Sequence, residues 1–316
     1  MTRADLIGEM SDDERRSRQE WIDRTSSNDQ WANKIFKKVG ILLTSHQSNR
    51  PYLKACIDSH VKLGYWITVA YDNYVNPKWD TVDHNQFMPS KDVMDNIDMF
   101  LIPHHQVWGG CLYPWFWLMK FGVDAMQNFE YIYCANGDFV IEKPEGFPEL
   151  FAMLGDADIM TSGPDYTDPV AANTAGFIAK TSALKAIIQH FQDHFIPFEV
   201  YEKYTQDIGN AEGRFGTAIR DLGLKKVDVI PPIGPDGEPD DMFRHNPSTR
   251  KQNGTWYDLL GFRHIHSELN YCYREKGLPP PLKYLDERFT ASNDIQAIKE
   301  YEETNDITVL DKWRGK

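Results

Sequence analysis

The chain has 316 residues, of which 41% are hydrophobic and 13% aromatic, as is typical of a folded globular protein rather than a disordered one. Its formal net charge of -13 argues against a generally basic nucleic-acid-binding surface, although a local basic groove is compatible with it. The four cysteines are widely spaced and form no Cys-x-x-Cys pair, which favours buried thiols over a zinc site or a disulfide framework.

The N-terminal region is polar and charged, and no apolar run in the sequence reaches membrane-spanning length. We therefore expect a soluble, cytoplasmic protein without a membrane partner. Residues 1–36 are predicted to be a separate helical segment, because Ser11 and Glu14 have the spacing of a capping box.

The first part of the predicted core is a βαβ unit. In chain order, the pattern predicts strand 39–44, polar loop 45–50, helix 51–64 and strand 65–71. The second strand ends on Asp72 and Asn73, so polar groups follow both strands. Open α/β sheets bind ligands at the carboxyl ends of their strands, which makes these residues candidate ligand contacts. For Asp72, a simple turn after the strand is the alternative.

The stretch 131–141, YIYCANGDFVI, is predicted to be a central buried strand interrupted by the polar step Asn136-Gly137-Asp138. A carboxylate at the end of a buried strand needs a partner, and a divalent cation is a suitable one. Asn-Gly-Asp is also good turn chemistry, so a hairpin is the alternative at this point.

The remaining elements alternate between helices and strands. They are a short helix near Lys91, strand 97–103, helix 113–128, helix 148–155, strand 158–161, strand 173–180, helix 182–195, helix 206–222 and strand 226–230. From residue 231 onward, prolines and glycines predict an irregular C-terminal extension.

This order of strands and polar steps resembles the GT-A family of nucleotide-sugar glycosyltransferases, over roughly residues 38–230. The metal-binding Asp-x-Asp motif of that family corresponds here to Asn136-Gly137-Asp138, with asparagine in place of the first aspartate. The resemblance implies an α/β, Rossmann-like fold with a mixed, mostly parallel central sheet flanked by helices. It also implies an N-terminal segment 1–36, a catalytic core 37–230 and a C-terminal extension 231–316.

The resemblance implies a role for each matching residue. The residues implied to bind the nucleotide sugar are Thr44, Ser45, Asp72, Asn73, Trp108, Gly109 and Asn136. Asp138 is implied to hold Mn²⁺ or Mg²⁺, with His264 or His266 completing the metal shell; at i and i+2 these histidines would share one face of a strand. Glu212, or alternatively Asp207, would be the base that deprotonates the acceptor. The alternatives are a solvated helix face for the carboxylates, a surface pair for the histidines, and packing or a turn for Trp108 and Gly109.

A cationic and aromatic patch lies in the C-terminal extension. Its predicted contacts to the acceptor or the diphosphate are Arg244, Arg250, Lys251, Trp256 and Arg263. A solvated loop is the alternative. The segment 244–264 also resembles glycosyltransferases encoded by tailed phages, some of which modify hydroxymethylated pyrimidines in DNA. In that case the protein would act in the cytoplasm of the host.

The predicted function is a metal-dependent transfer of a sugar from a nucleotide sugar, with UDP as the expected nucleotide, to a hydroxyl acceptor. The acceptor suggested by the phage resemblance is 5-hydroxymethylpyrimidine in DNA, and a glycan or lipopolysaccharide sugar is the alternative. A sugar-phosphate nucleotidyltransferase is a second possibility, but the loop 45–50 lacks the glycines that cradle a triphosphate. A non-catalytic binding protein with this fold is a third.

Overall fold

Two β-sheets lie in the described part of the chain. The computed structural model describes residues 34, 37–46, 50–72, 91–102, 112–162, 174, 176–195, 211–228, 259–265, 284 and 293–310. The strands are β1 (Val39–His46), β2 (Trp66–Asp72), β3 (Met99–Leu101), β4 (Tyr131–Asn136), β5 (Phe139–Val140), β6 (Ile159–Thr161), β7 (Gly176–Lys180), β8 (Lys226–Asp228) and β9 (Arg263–His264). The central sheet has the order β3-β2-β1-β4-β7-β6-β8, and β5 pairs with β9 in the second sheet.

The central sheet is mixed and mostly parallel, which confirms the predicted fold class. β1 runs parallel to β2 and β4, β2 to β3, and β6 to β8, whereas β7 is antiparallel to both of its neighbours. In β1, Ile41, Leu42 and Leu43 are all fully buried. This burial on both faces explains why the strand has a continuous apolar sequence and no alternation.

Helices cover both faces of the sheet. The described α-helices are α1 (Arg50–Val61), α2 (Lys91–Met94), α3 (Leu112–Ala125), α4 (Phe147–Ala152), α5 (Thr181–His194), α6 (Ala211–Asp221) and α7 (Asn293–Thr304); Ile298 of α7 packs in a separate small cluster with Tyr52 and Val140. Ile41 and Leu43 pack in one core cluster with residues of α1 and α4, and Leu42 packs in the other with residues of α3, α5 and α6. Successive side chains of a strand point to opposite faces. Each fully buried Leu or Ile contributes about 1.5–3 kcal/mol.

β1 is two residues longer than predicted. Ser45 and His46 belong to the strand and not to the loop that their polarity predicts, because Ser45 pairs with Tyr71 and His46 with Asp72 of β2. The ladder satisfies the backbone groups of these residues whatever their side chains are.

The predicted strand 131–141 is two strands separated by a turn. β4 ends at Asn136, Gly137 and Asp138 form the turn, and Phe139 and Val140 pair with His264 and Arg263 of β9. Among the described strands, β4 and β5 belong to different sheets and do not pair with each other, so the hairpin alternative is wrong. The turn itself is present. A short two-residue strand cannot be recognised as a separate element by its own periodicity.

Residues 259–265 pack on the same core face as α1. Leu260 and Phe262 belong to the cluster that contains Ile41, and the Leu260 carbonyl accepts hydrogen bonds from the backbone N–H groups of Glu142 (3.0 Å) and Lys143 (2.7 Å). The chain divides into the compact units Met1–Lys38 and Val39–Lys316. The predicted boundaries after residues 36 and 230 stay predictions, and the Ser11–Glu14 capping box lies outside the described residues.

Among the described helices, none combines the length and the apolar character needed to cross a lipid bilayer.

Candidate active site

The carboxyl ends of β1, β2 and β4 bring several predicted site residues together. Thr44 is in register with Asn136 of β4, and His46 is in register with Asp72 of β2. Thr44 and Asp72 are buried, with exposed fractions of 5% and 4%. Residues that lie far apart in the sequence therefore share one edge of the sheet.

A crevice is expected at this edge between β1 and β4. The chain passes from β1 to β2 and β3 on one side, and then returns to place β4 on the other side of β1. Such a reversal of strand order is a topological switch point, and α/β sheets bind ligands outside the carboxyl ends of the strands there. Thr44 and Ser45 on β1 and Asn136 on β4 flank it.

Gly137 brings the turn after β4 into direct contact with β1. Its N–H donates to the Thr44 carbonyl oxygen at 2.7 Å. A Cβ atom at position 137 would lie 2.5 Å from Ser45 Oγ and 2.6 Å from Ser45 Cβ, so no other residue fits without displacing β1. Ser45 is fully buried, and among the described residues its hydroxyl oxygen has no hydrogen-bond partner.

Asp138, the second residue after β4, is 2% exposed. Its backbone carbonyl accepts a hydrogen bond from Ile265 N–H at 3.0 Å, which ties the turn to the C-terminal segment. After burial itself, the Asp138 carboxylate is the next cause that raises the pKa of the Cys56 thiol, so the two side chains lie near each other. A carboxylate is an oxygen ligand that fits a hard divalent cation.

Asn136 is already engaged within the protein. The Thr44 hydroxyl donates to Asn136 Oδ1 at 3.0 Å and thereby links the neighbouring ends of β1 and β4. The predicted contact of Asn136 with the nucleotide sugar stays a prediction, and a ligand there would share this oxygen or bind the amide nitrogen.

The pairing of β5 with β9 brings His264 close to Asp138 along the backbone. His264 lies opposite Phe139, the residue after Asp138, although 126 positions separate it from Asp138 in the sequence. The strand ends at His264, and His266 lies outside the described residues, so the predicted strand face shared by the two histidines stays untested. Among the described residues, no group of three or more His, Cys, Asp or Glu side chains can hold a metal ion.

Arg263, a predicted diphosphate contact, is held by two neighbouring side chains. Its Nη1 lies 3.3 Å from Glu142 Oε1 and 3.4 Å from the Tyr284 hydroxyl, and its guanidinium carbon lies 5.2 Å from the centre of the Tyr284 ring. The Tyr284 hydroxyl donates to the same Glu142 oxygen. This cluster joins β9 to the segment after β5, and the phosphate contact stays a prediction.

The start of α6 lies near the edge of the sheet formed by the carboxyl ends of β4 and β6. Phe215, one turn into the helix, has its ring 5.0 Å from that of Phe177, the second residue of β7. β7 is antiparallel, so it begins at the carboxyl edge of its neighbours. The backbone of Glu212, the second residue of α6, is thereby placed near this edge. The predicted site residues outside the described part of the chain are Asn73, Trp108, Gly109, Asp207, Arg244, Arg250, Lys251, Trp256 and His266.

No protein-family model matches the sequence, and no curated protein matches it. Among solved structures, 4-diphosphocytidyl-2C-methyl-D-erythritol synthase from Anaerococcus prevotii is similar with a TM-score of 0.39 and 12% identity, over 61% of this chain and 88% of that one. Mouse xyloside xylosyltransferase 1 is similar with a TM-score of 0.37 and 10% identity, over 61% and 85%. The bifunctional IspDF of Campylobacter jejuni has a TM-score of 0.34 and 15% identity, and the chain spans only 49% of its length.

These similarities assign no family to the chain. At such low identities and TM-scores, they carry no argument about its chemistry.

A buried polar cluster on α1, which the sequence patterns did not reveal, supports the turn that carries Asp138. It consists of Cys56, Ser59 and His60, all nearly or fully buried. The Ser59 hydroxyl donates to the Cys56 carbonyl at 2.7 Å, and Ile141 N–H donates to the Ser59 oxygen at 3.1 Å. The i, i+3, i+4 spacing of these polar residues on a buried helix face is the signal that could have identified them.

A second group of buried hydroxyls lies at the same sheet edge, beyond β4. Thr161 and Ser162 are at the end of β6 and are fully buried, and Thr174, just before β7, is 6% exposed. Ser162 N–H donates to the Gly176 carbonyl at 3.0 Å, while the Ser162 hydroxyl oxygen has no partner within the described residues. A buried hydroxyl without a partner is costly, so the Ser162 hydroxyl is consistent with a polar ligand at this edge.

The buried His60 should make the protein less stable in mild acid. Burial lowers the pKa of His60 from its ordinary 6.5 to about 4, whereas the unfolded chain recovers the ordinary value. Between these values the unfolded state binds more protons, so the free energy of unfolding should fall by roughly 2 kcal/mol from pH 7 to pH 5. Urea unfolding at both pH values measures this change.

The matched variants for this measurement are His60→Asn and His194→Asn, since His194 is exposed. His60→Asn should lose most of the pH dependence, and His194→Asn should keep it. An equal pH dependence in His60→Asn and the unmodified protein would contradict the assignment.

Proposed function

We propose that this protein is a metal-dependent glycosyltransferase that moves a sugar from a nucleotide sugar, a UDP-sugar, to a hydroxyl acceptor. The observation that carries the proposal is the buried carboxylate of Asp138 in the turn after β4, at the switch point between β1 and β4. This is the position in an α/β sheet where a charged phosphate ligand and its counter-ion can be bound together.

The chemistry requires charge stabilisation at the leaving group. A divalent cation, Mn²⁺ or Mg²⁺, would supply it as a Lewis acid for the diphosphate. Asp138 would hold this ion through its carboxylate, with the Asn136 amide oxygen and a histidine, His264 or His266, as further ligands. The low exposure of Asp138 supports this role, because burial strengthens the interaction of its charge with a cation.

The nucleoside would occupy the part of the edge formed by β1 and β2. Asp72 is the last residue of β2 and pairs with His46 at the end of the ladder between these strands. At this position its carboxylate would accept hydrogen bonds from a base or ribose. Thr44 and Ser45 would line the crevice beside it. In this arrangement, the predicted pocket residues Asn73, Trp108 and Gly109 would complete the site around the nucleotide sugar.

Glu212 is the proposed base for the acceptor hydroxyl, with Asp207 as the alternative. The position of the Glu212 backbone near the carboxyl edge supports this choice. The proposed acceptor is a 5-hydroxymethylpyrimidine in DNA, bound by the cationic residues between Arg244 and Arg263, and a glycan is the alternative acceptor.

A thermal-shift screen of UDP-sugars with and without Mn²⁺ tests the donor. A ligand that binds only the folded state at 100 times its Kd stabilises the protein by about 2.7 kcal/mol, which raises the melting temperature measurably. We expect at least one UDP-sugar to raise it, and to do so more strongly with Mn²⁺. A failure of UDP and of all UDP-sugars to shift the melting temperature would contradict the proposal.

Product analysis then separates the classes of enzyme and of acceptor. Transfer should add the mass of one sugar to hydroxymethylcytosine DNA or to a glycan, with release of UDP. Release of pyrophosphate from a nucleoside triphosphate and a sugar phosphate would instead identify a nucleotidyltransferase. A protein that binds UDP-sugar tightly without any turnover would be a binding protein.

A further inference from the structure

The thiol of Cys56 bridges the four-residue turn Asn136–Phe139. Its Sγ lies 3.6 Å from the Asn136 carbonyl oxygen, to which it donates, and the backbone N–H of Phe139 lies close enough to the same sulfur to lower the pKa of the thiol. In an ordinary β-turn, the carbonyl of the first residue and the N–H of the fourth bond to each other. Here the thiol contacts both of these groups, and Asp138 is the third residue of the turn.

A hydrogen bond to sulfur is longer than one to oxygen, and the distance from Cys56 Sγ to the Asn136 oxygen is 3.6 Å. A direct backbone hydrogen bond has a donor–acceptor distance of about 2.9 Å, and bonds through a hydroxyl are of similar length or shorter. We call the distance between the first and fourth residues the opening of the turn. This distance is coupled to the backbone angles of the third residue, and these angles set the direction of its side chain. The size of the bridging group therefore influences where the Asp138 carboxylate is placed.

The protonated form of the thiol is the one that this geometry needs. Burial raises the pKa of Cys56 well above its ordinary range, and the negative charge of Asp138 raises it further. At neutral pH the sulfur keeps its hydrogen and can donate to the Asn136 carbonyl. A thiolate would lose this bond and would repel the carboxylate.

Hydrogen bonds of two other residues of helix α1, Ser59 and His60, hold Cys56 in place. The Cys56 carbonyl lies 2.7 Å from His60 Nδ1, which must donate because a carbonyl oxygen only accepts, so His60 Nε2 accepts from the Tyr133 hydroxyl at 3.2 Å. Ser59 binds Ile141 N–H beyond the turn. The helix is thus attached to the chain on both sides of the turn, and Cys56 reaches the middle.

We propose that Cys56 is a positioning residue, whose thiol sets the opening of the Asn136–Phe139 turn and thereby the placement of the Asp138 carboxylate for binding a divalent cation. The inference rests on the function proposed above as far as the cation is concerned. Groups that orient a metal ligand typically contribute 10–100-fold to metal affinity or activity.

The test compares Cys56→Ala and Cys56→Ser with the control Cys134→Ser. Cys134 is a buried thiol on β4 that packs in the other core cluster, so its replacement makes the same chemical change away from the turn. Titration with Mn²⁺ should show about tenfold weaker binding for Cys56→Ala. Cys56→Ser keeps a donor and an acceptor on a shorter side chain, and should recover part of the affinity. Cys134→Ser should match the unmodified protein.

A purely structural role for Cys56 predicts a different outcome. The variants would then melt at lower temperature, but their folded fraction would bind Mn²⁺ as tightly as Cys134→Ser, and that result would overturn the proposal. The Mn²⁺ titration is made at a temperature where circular dichroism shows each variant to be folded.

Hydrogen exchange of the Phe139 amide keeps the test separate from the proposed function. If the unmodified protein binds no Mn²⁺, the proposed function fails, but the role of the thiol in the turn is still measurable. Loss of one hydrogen bond, worth about 1 kcal/mol, should speed exchange of this amide about fivefold in Cys56→Ala relative to the Ile141 amide, and not in Cys134→Ser. Equal exchange in all three proteins would overturn the positioning role.

Discussion

Replacing Asp138 with alanine should reduce Mn²⁺-dependent turnover of a UDP-sugar by about 10³-fold, which corresponds to roughly 4 kcal/mol of lost stabilisation of the transition state. The reason is that Asp138 is a buried carboxylate in the turn after β4, and a metal ion held there would carry much of the charge stabilisation. Initial rates over a range of Mn²⁺ concentrations measure the effect, and the isosteric Asp138→Asn should be similarly impaired.

The control for this prediction is Asp158→Asn. Asp158 precedes β6 at the opposite edge of the sheet, where its carboxylate contacts Lys180 Nζ at 2.9 Å and the Lys225 N–H at 2.9 Å. This variant should keep the Mn²⁺ dependence of the unmodified protein, because it removes a carboxylate that is far from the crevice. Full activity in a correctly folded Asp138→Ala protein would exclude Asp138 as a metal ligand.

Replacing Gly146 with alanine should cause the largest loss of stability, more than about 3 kcal/mol. A Cβ atom there would lie 1.9 Å from the Leu259 carbonyl oxygen and 2.6 Å from its carbonyl carbon. These are backbone atoms, which cannot move aside by changing a rotamer. The segment 259–265 would have to move, and Leu260 and Phe262 would lose their burial against the core. Urea unfolding measures the change.

Gly155→Ala is the matched control for the second prediction. Its added Cβ atom would meet nothing within 4 Å, but the positive φ of +55° should still cost about 1 kcal/mol. Gly146→Ala should also impair activity, since the displaced segment includes Ile265, which is bonded to the Asp138 carbonyl. If Gly146→Ala were no less stable than Gly155→Ala, the close packing of residues 259–265 would be disproved.

The strands of the core were predictable because their signal is local. Residues 39–44 and 65–71 were identified from apolar runs, and the structure has strands at Val39–His46 and Trp66–Asp72. The position of Asp138 after a buried strand was likewise predictable from a polar step in an apolar sequence. The end of β1 was not, since Ser45 and His46 look like loop residues until the ladder with β2 is known.

The polar support of the candidate site was not predictable in the same way. Cys56 was expected to be an ordinary buried thiol, and only the docking of α1 against β4 places its sulfur between Asn136 and Phe139. The pairing of Phe139 with His264 was equally hidden, because two strands of two residues have too little periodicity to specify a partner or a register.

By itself the sequence determined which segments are buried strands and helices, and which polar groups stand at their ends, because hydrophobic periodicity and turn chemistry act over a few neighbouring residues. The tertiary structure decided the antiparallel insertion of β7 between β4 and β6, the pairing of β5 with β9, and the contact of the Cys56 thiol with the turn. Each of these depends on contacts between residues far apart in the chain, whose geometry is set only when the helices pack on the sheet.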